Sequence, residues 1–397
     1  MEYYKEITSP ASKEFVKLLN SQLSKNKIEE GARKLQKKMQ QASDLINGLA
    51  GERIRWTDDA KEFMARKQRL VGDMAVCAAF TSYAGGFNQE FRDVLINRTY
   101  VSDLKKRGIP VTVGVDPVGF MVDEGTKGDW AMQKLPNDPL SIQNGVLVTN
   151  ATRYPMLIDP QAQAITWIAN LEAERLPSFG IISLNNNRLK ENLEFAMCEG
   201  MALMIKDVEE VLDPMLDPVL DKAIIKKGKT MFITVADQLL EYNSKFQMYF
   251  ITRLPNPHFS PELQAKTTVI DFTVTMKGLE EQLLGRVIGK EQQALEEQLN
   301  EVLSTVTNNT KALLLLDAQL LDRLTSNTGN LLDDDELIGV LANTKAKAAE
   351  VKIKLKEAGE TKENIAQKRE IYRDVATRGS ILYFAIVEMS LVNAMYQ

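Results

Sequence analysis

Proline is the residue that most limits where a helix can run, and in this chain it is confined to one stretch. Of the 13 prolines in 397 residues, twelve fall from Pro110 to Pro261, and Pro10 stands alone before them. Proline removes a helix hydrogen bond and clashes with the preceding turn. The chain therefore divides into a helical first part, a proline-punctuated middle and a helical last part. In the first, Val16, Leu19, Leu23, Ile28, Ala32, Leu35, Met39, Ala42 and Leu45 recur at helical spacing among lysines and glutamates, which predicts one long helix with a narrow apolar stripe from Ser12 to Gly48. Gly48 and Gly51 predict a stop, Thr57-Asp58-Asp59 a cap for a second helix over Asp58–Phe80, and a third helix follows at Phe87–Asn97.

The middle part alternates short apolar runs with helical patterns. Candidate strands are Tyr154–Ile158, Phe179–Leu184, Met201–Ile205, Met231–Val235, Phe246–Thr252 and Thr268–Thr275, with helices at Gln161–Glu174 and Asn187–Cys198. Strand, helix, strand is the pattern of a parallel sheet covered on both faces, so this part reads as α/β. In the last part an apolar seam runs at about 3.5 residues from Met276 through Leu279, Leu283, Val287, Leu295, Leu299, Val306, Leu313 and Leu320 to Leu324. A turn at Thr325–Asn330 and the acidic helix start Asp333–Glu336 lead into a second helix through Leu341, Val351, Leu355 and Ile365. Two long helices around a short turn predict an antiparallel coiled-coil hairpin, with arms of roughly 60–70 Å. The apolar run after Gly379 predicts a buried helix of the body.

Composition removes several functions. A net charge of −5, from 49 basic and 54 acidic residues, gives no field that favours nucleic acid or acidic lipid. Cys77 and Cys198 fit neither a disulfide framework nor a zinc site, and one histidine, His258, argues against a metal centre or a Ser-His-Asp triad. The opening residues lack the apolar core of a signal peptide, so a reducing, cytoplasmic setting and no membrane partner are expected.

Phosphate binding leaves a trace only. A P-loop needs convergent backbone N–H groups from glycines, a lysine, and a helix to follow. Gly228-Lys229-Thr230 has Ala223 where the upstream glycine belongs and runs into a strand, so it reads as a turn between strands. The loop after the first strand, Asp159-Pro160-Gln161-Ala162-Gln163, has neither glycine nor lysine. After Ala202–Ile205 the chain reads Lys206-Asp207 where an Asp-Glu pair would hold Mg²⁺. Asp207, Glu209 and Glu210 fit a solvated loop equally well. His258, in a proline-fixed loop, reads as a backbone hydrogen-bonding residue. No catalytic or metal-ligating constellation emerges. An active ATPase would have to use Gly228-Lys229-Thr230 and Asp207, and a regulatory nucleotide site would bind without turnover.

The middle block also resembles a known family. Leu135-Pro136-Asn137-Asp138-Pro139 with Arg153-Tyr154-Pro155-Met156-Leu157-Ile158-Asp159-Pro160-Gln161 resembles the opening of the fifth AAA+ module of dynein heavy chains. Leu212-Asp213-Pro214, Leu216-Asp217-Pro218, Leu254-Pro255-Asn256-Pro257-His258 and Phe272-Thr273-Val274-Thr275 continue the likeness. Ala42–Leu49 with Gly51–Trp56 resembles the returning stalk helix, and Arg373–Phe384 the end of the strut. The wording at Thr275–Gly278 and Ala376–Ser380 is most similar to axonemal outer-arm chains.

The resemblance implies a stalk-base helix over 1–56, a helical connector over 57–130, an AAA+ large subdomain with a parallel sheet flanked by helices over 131–275, a coiled-coil strut over 276–378 and a small-subdomain helix over 379–397. It implies a structural module that hydrolyses no nucleotide and needs no cofactor. Asp159, Gln161 and Gln163 then stand at a degenerate P-loop, and Lys206 and Asp207 at a degenerate Walker B position. The strut tip, Ser326, Asn327, Asn330, Leu331 and Leu332, would contact the stalk, and Leu299, Val306, Leu313 and Leu320 would form the strut seam. Implied partners are neighbouring AAA+ modules of the same heavy chain, the stalk coiled coil and, only indirectly, a microtubule. The implied location is the cytoskeleton of a ciliary or flagellar axoneme.

Overall fold

In the computed structural model the described residues are 10–326 and 335–392. They divide into two compact units, one of residues up to 64 with 312–353, the other of 65–311 with 354 onward. The first is helical throughout its described residues.

Helix α1 spans Pro10–Tyr83 without interruption. The stop expected at Gly48 and Gly51 and the cap at Thr57–Asp59 are therefore absent. A helical glycine costs only about 1 kcal/mol relative to alanine, which its neighbours in a long helix absorb. Asp58 does not cap a new helix but pairs along α1 with Lys61, at 3.3 Å. In the second unit α1 becomes an anchoring element. Gly72, Asp73, Val76, Cys77, Phe80 and Ala84 form a buried stripe, and Asp73 accepts 2.7 Å bonds from the Thr112 amide and hydroxyl.

The chain then runs through helical segments Gln89–Asp93, the π-helical Val94–Tyr100 and Val101–Lys106, so the helix expected over Phe87–Asn97 is longer and partly π. Helix α2 (Pro139–Thr149), capped by Asp138, leads into the sheet. Its elements are β1 (Tyr154–Ile158), α3 (Gln163–Leu171), β2 (Ile181–Ser183), α4 (Leu189–Glu199) and β3 (Ala202–Lys206). A separate antiparallel sheet follows, β4 (Ile225–Lys227), β5 (Thr230–Val235) and β6 (Gln238–Glu241), before β7 (Gln247–Thr252) and β8 (Thr267–Asp271) complete the main sheet. Its order is β2-β3-β7-β1-β8, with every pair parallel. Side chains alternate between two cores with the period of two that a strand imposes. Leu157, Met204, Tyr249 and Ile251 face α3 and its Trp167. Met156, Leu203, Ile205, Met248 and Phe250 face α4 and its Leu193.

One strand expectation is corrected. Met231–Val235 lies in β5, outside the parallel sheet. The two-residue loop Ala236-Asp237 takes left-handed backbone at both positions, the geometry of a tight hairpin, without the glycine that would have announced it.

The β8 edge is closed by the chain that follows α1. The Asp271 amide donates to Gly85 O at 2.9 Å. A Cβ on Gly85 would stand 2.2 Å from Val269 O, so only glycine lets the backbones meet. Arg92 is wholly buried beside this join and donates to Phe87 O, Gly85 O and Gln143 Oε1. Burial lowers its pKa to about 10, so it remains charged at neutral pH.

Helices α5 (Met276–Glu291), α6 (Gln293–Ser326), α7 (Asp335–Glu370) and α8 (Arg373–Val392) follow. The seam expected to run from Met276 is interrupted at Gln292, whose backbone leaves the helical region at φ −142° and ψ 67°. Leu284 and Ile288 of α5 join Leu295 and Leu299 of α6, Ile365 of α7 and Ala376 of α8 in one root cluster. Of the seam residues, Leu299 is buried, Val306 and Leu313 are half-buried, and Leu320 has no described side chain. Asn327, Asn330, Leu331 and Leu332 of the expected tip lie outside the described residues, as does the side chain of Ser326. The run after Gly379 is not buried as expected. Only one side of α8 is covered, through Ala376 and Ser380, whereas Ile381, Leu382 and Ile386 are each more than half exposed.

Replacing Arg92 with alanine should cost about 3 kcal/mol or more, because carbonyls at the sheet edge lose a charged donor; the midpoint of urea unfolding by circular dichroism measures it. Leu299→Ala should cost about 2–5 kcal/mol by leaving a cavity in the root cluster. The same change at half-buried Val306 should cost clearly less, and equal shifts in thermal melting would contradict this ranking.

Candidate functional site

A nucleotide in a fold of this kind would sit where β1 turns into α3, beyond the carboxyl ends of the strands. In this chain that position is already occupied by a side chain. Asp159 follows β1 directly, and its amide donates to Thr252 O at 2.9 Å. Its carboxylate lies against the start of α3, where Oδ1 accepts from the Gln163 amide at 2.8 Å and Oδ2 from the Ile165 amide at 3.0 Å. Ala162, in left-handed conformation at φ 59°, folds the loop so that these amides face back toward Asp159. The first N–H groups of a helix are the donors that would bind a phosphate, and here the oxygens of an internal carboxyl group take them.

Asp159 is completely buried. Burial pushes its carboxyl above the ordinary carboxylate range, opposed by the α3 amides and by the charge of Arg253. A phosphate brought to the same amides would meet both a lack of free donors and, with Asp159 ionised, a like charge in a low-dielectric site.

The flanking glutamines turn away from any such ligand. Gln161 Nε2 donates to Tyr383 Oη at 3.1 Å and Gln161 Oε1 accepts from the Val274 amide at 3.4 Å. Gln163 Nε2 donates to Gln282 Oε1 at 3.1 Å. The loop is thus joined by uncharged side chains to α5 and α8. Sequence reasoning placed Gln161 and Gln163 at a defunct loop but did not see these partners, which lie more than a hundred residues away.

At the end of β3, Lys206 is half-buried and Asp207 takes positive φ. The Asp207 carboxylate stands 3.3 Å from Arg253 Nε, so the acid at the Walker B position faces a cation. Gly228 and Lys229 form the two-residue loop of the β4–β5 hairpin, with Gly228 at φ 66°. This agrees with the turn reading and puts them in a different sheet from β1 and β3. His258 is exposed, and its backbone amide donates to Glu210 Oε1 at 3.0 Å. Among the described residues no group of three or more His, Cys, Asp and Glu is placed to hold a metal.

Comparison with known proteins gives this geometry its context. The family described as "ATP-binding dynein motor region" matches residues 128–351, more than half of the chain, and that described as "Microtubule-binding stalk of dynein motor" matches residues 8–104. The chain belongs to the dynein heavy chain family. Dynein axonemal heavy chain 5 of Mus musculus is 50% identical over 94% of this chain. Dynein axonemal heavy chain 8 of Homo sapiens is 50% identical over 91%, and the flagellar outer-arm dynein gamma chain of Chlamydomonas reinhardtii is 48% identical over 90%. The chain spans 8% of the length of each of these dyneins. The parallel sheet with helices on both faces is the architecture of an AAA+ module.

The Asp159 carboxyl carries a pH signature. Its pKa is raised on folding above an unfolded value of about 3.9, so the folded chain holds this proton more tightly. The stability so gained is full below the unfolded value and lost as pH rises through the folded one. The loss of urea midpoint between about pH 4 and about pH 7 should therefore be smaller in Asp159→Ala than in the parent. Equal losses would mean that burial does not control this carboxyl.

Proposed function

We propose that this chain is a structural, non-hydrolysing AAA+ module of a dynein microtubule motor. The observation that carries the reading is the Asp159 carboxylate on the α3 amides, at 2.8 and 3.0 Å. The Asp207–Arg253 pair and the glutamine bridges to α5 and α8 support it. A loop so satisfied stiffens the join between sheet and helices, and that is the property required of a part that passes on motion generated elsewhere.

In this reading α6 and α7 are the strut, whose tip at 326–332 contacts the stalk and relays ring movement toward a microtubule-binding tip outside this chain. The partners are neighbouring AAA+ modules and the stalk coiled coil, and contact with the microtubule is indirect. The likeness to axonemal and flagellar outer-arm chains places the work of the whole protein in the axoneme of a cilium or flagellum. The alternative is a regulatory module that binds nucleotide without turnover. It draws on the family's description as ATP-binding.

Titrating the chain with a fluorescent ATP analogue and Mg²⁺, followed by a hydrolysis assay, separates these readings. The expected result is no saturable binding up to about 1 mM, no turnover, and no effect of Lys229→Ala. Micromolar binding without turnover would favour the regulatory reading. Turnover abolished by Lys229→Ala would overturn both.

A further inference from the structure

Helix α6 is held by the body at two places of different chemistry. The inner hold is the apolar root cluster around Leu295 and Leu299. The outer one lies roughly 12–18 Å farther along the helix, at Thr307 and Lys311. There the short helix Glu124–Met132 offers Gly125 and Gly128, one turn apart. A Cβ on Gly128 would stand 2.2 Å from Thr307 Oγ1, and one on Gly125 would stand 3.0 Å from Lys311 Cγ. At Gly128 only glycine permits so close an approach, and at Gly125 a Cβ would press Lys311 aside.

Thr307 is buried at the crossing, yet its hydroxyl donates to Leu303 O of its own helix at 2.9 Å. It therefore gives the short helix shape but no directional bond. The directional tie comes one turn later, where Lys311 Nζ meets both carboxylate oxygens of Asp129. Those side chains are 45% and 33% exposed. An ion pair in such a setting is weak and screened by salt, whereas the root cluster is apolar and closed to water. The two compact units part immediately beyond this tie, between Lys311 and Ala312 on α6 and between Ile353 and Lys354 on α7.

We propose that the Gly125/Gly128–Thr307 crossing and the Asp129–Lys311 pair form a releasable clasp on α6. With the pair closed, α6 is fixed at two points. With it open, the root alone holds the helix, and the smooth glycine surface, having no side-chain ridge to interlock, lets α6 shift against the short helix. The clasp belongs to these helices whether or not the hairpin acts on a stalk, so it does not rest on the motor reading.

The test uses the 397-residue chain in a Cys198→Ser background, with nitroxide labels at Met132→Cys and Asn308→Cys and distances read by pulsed electron resonance. A second label pair, Glu291→Cys with Lys368→Cys, reports on the root. The expected result is one narrow Met132–Asn308 distance at low salt. It broadens toward longer distances near 1 M salt and in Lys311→Glu, and returns to one narrow population in the charge-swapped Asp129→Lys, Lys311→Glu double variant. The root distance stays narrow throughout. A narrow, unchanged clasp distance in Lys311→Glu would overturn the proposal, as would failure of the swap to restore it. Root and clasp broadening together would also overturn it, since the helix would then be leaving the body as one piece.

Discussion

A parallel sheet buried on both faces has one demand that its core cannot meet, because its outermost strand must satisfy its backbone from outside the sheet. In this chain the β8 edge is met by the segment that follows α1. The Asp271 amide bonds to Gly85 O, and the buried Arg92 guanidinium gathers the carbonyls of Gly85 and Phe87. Much else in the second unit follows from that join. It fixes the end of α1 to the sheet, sets β8 beside β1, and so positions the β1–α3 loop against α5 and α8. The glutamine bridges and the root cluster continue the same line of contacts toward α6.

Much of this was legible from the residues. The confinement of proline to the middle of the chain located the mixed α/β part, and the apolar runs at Met201–Ile205 and Phe246–Thr252 were legible as strands because β3 and β7 are buried on both faces. The turn reading of Gly228-Lys229-Thr230 rests on the missing glycine at Ala223 and on the strand that follows, and the fold shows that turn and that strand. What remained hidden was long-range. Nothing near Gln161 points to Tyr383, and nothing near Arg92 points to the edge of a strand completed at Asp271. Asp159 did carry a local signal, since an aspartate a few residues before a helix is a natural partner for its free amides. That signal was obscured by comparing the loop with a glycine-rich one.

The misreadings share a physical origin. Periodicity reports which residues want to be buried, not what is available to bury them. The repeat from Met276 to Leu324 reads as one seam in sequence, yet Gln292 divides it: α5 packs on α8, while Leu295 and Leu299 of α6 meet Ile365 of α7 in the root cluster. The apolar residues of α8 are real, but one neighbouring helix covers only one side of them. At Gly48 and Gly51 the error ran the other way. Local preference for a stop was weak beside the cooperativity of a long helix.

The bridges from Gln161 and Gln163 to Tyr383, Val274 and Gln282 have a further consequence. All their members are uncharged, so ions in the solvent have little to screen, and no proton or counter-ion need be exchanged to close them. Arg373 lies on the same helix as Tyr383 but grips Glu280, Glu281 and Glu370 through charged hydrogen bonds and ion pairs. The seam between the sheet and its helices is therefore stitched with two kinds of thread, and only one of them loosens when the ionic strength of the surroundings rises.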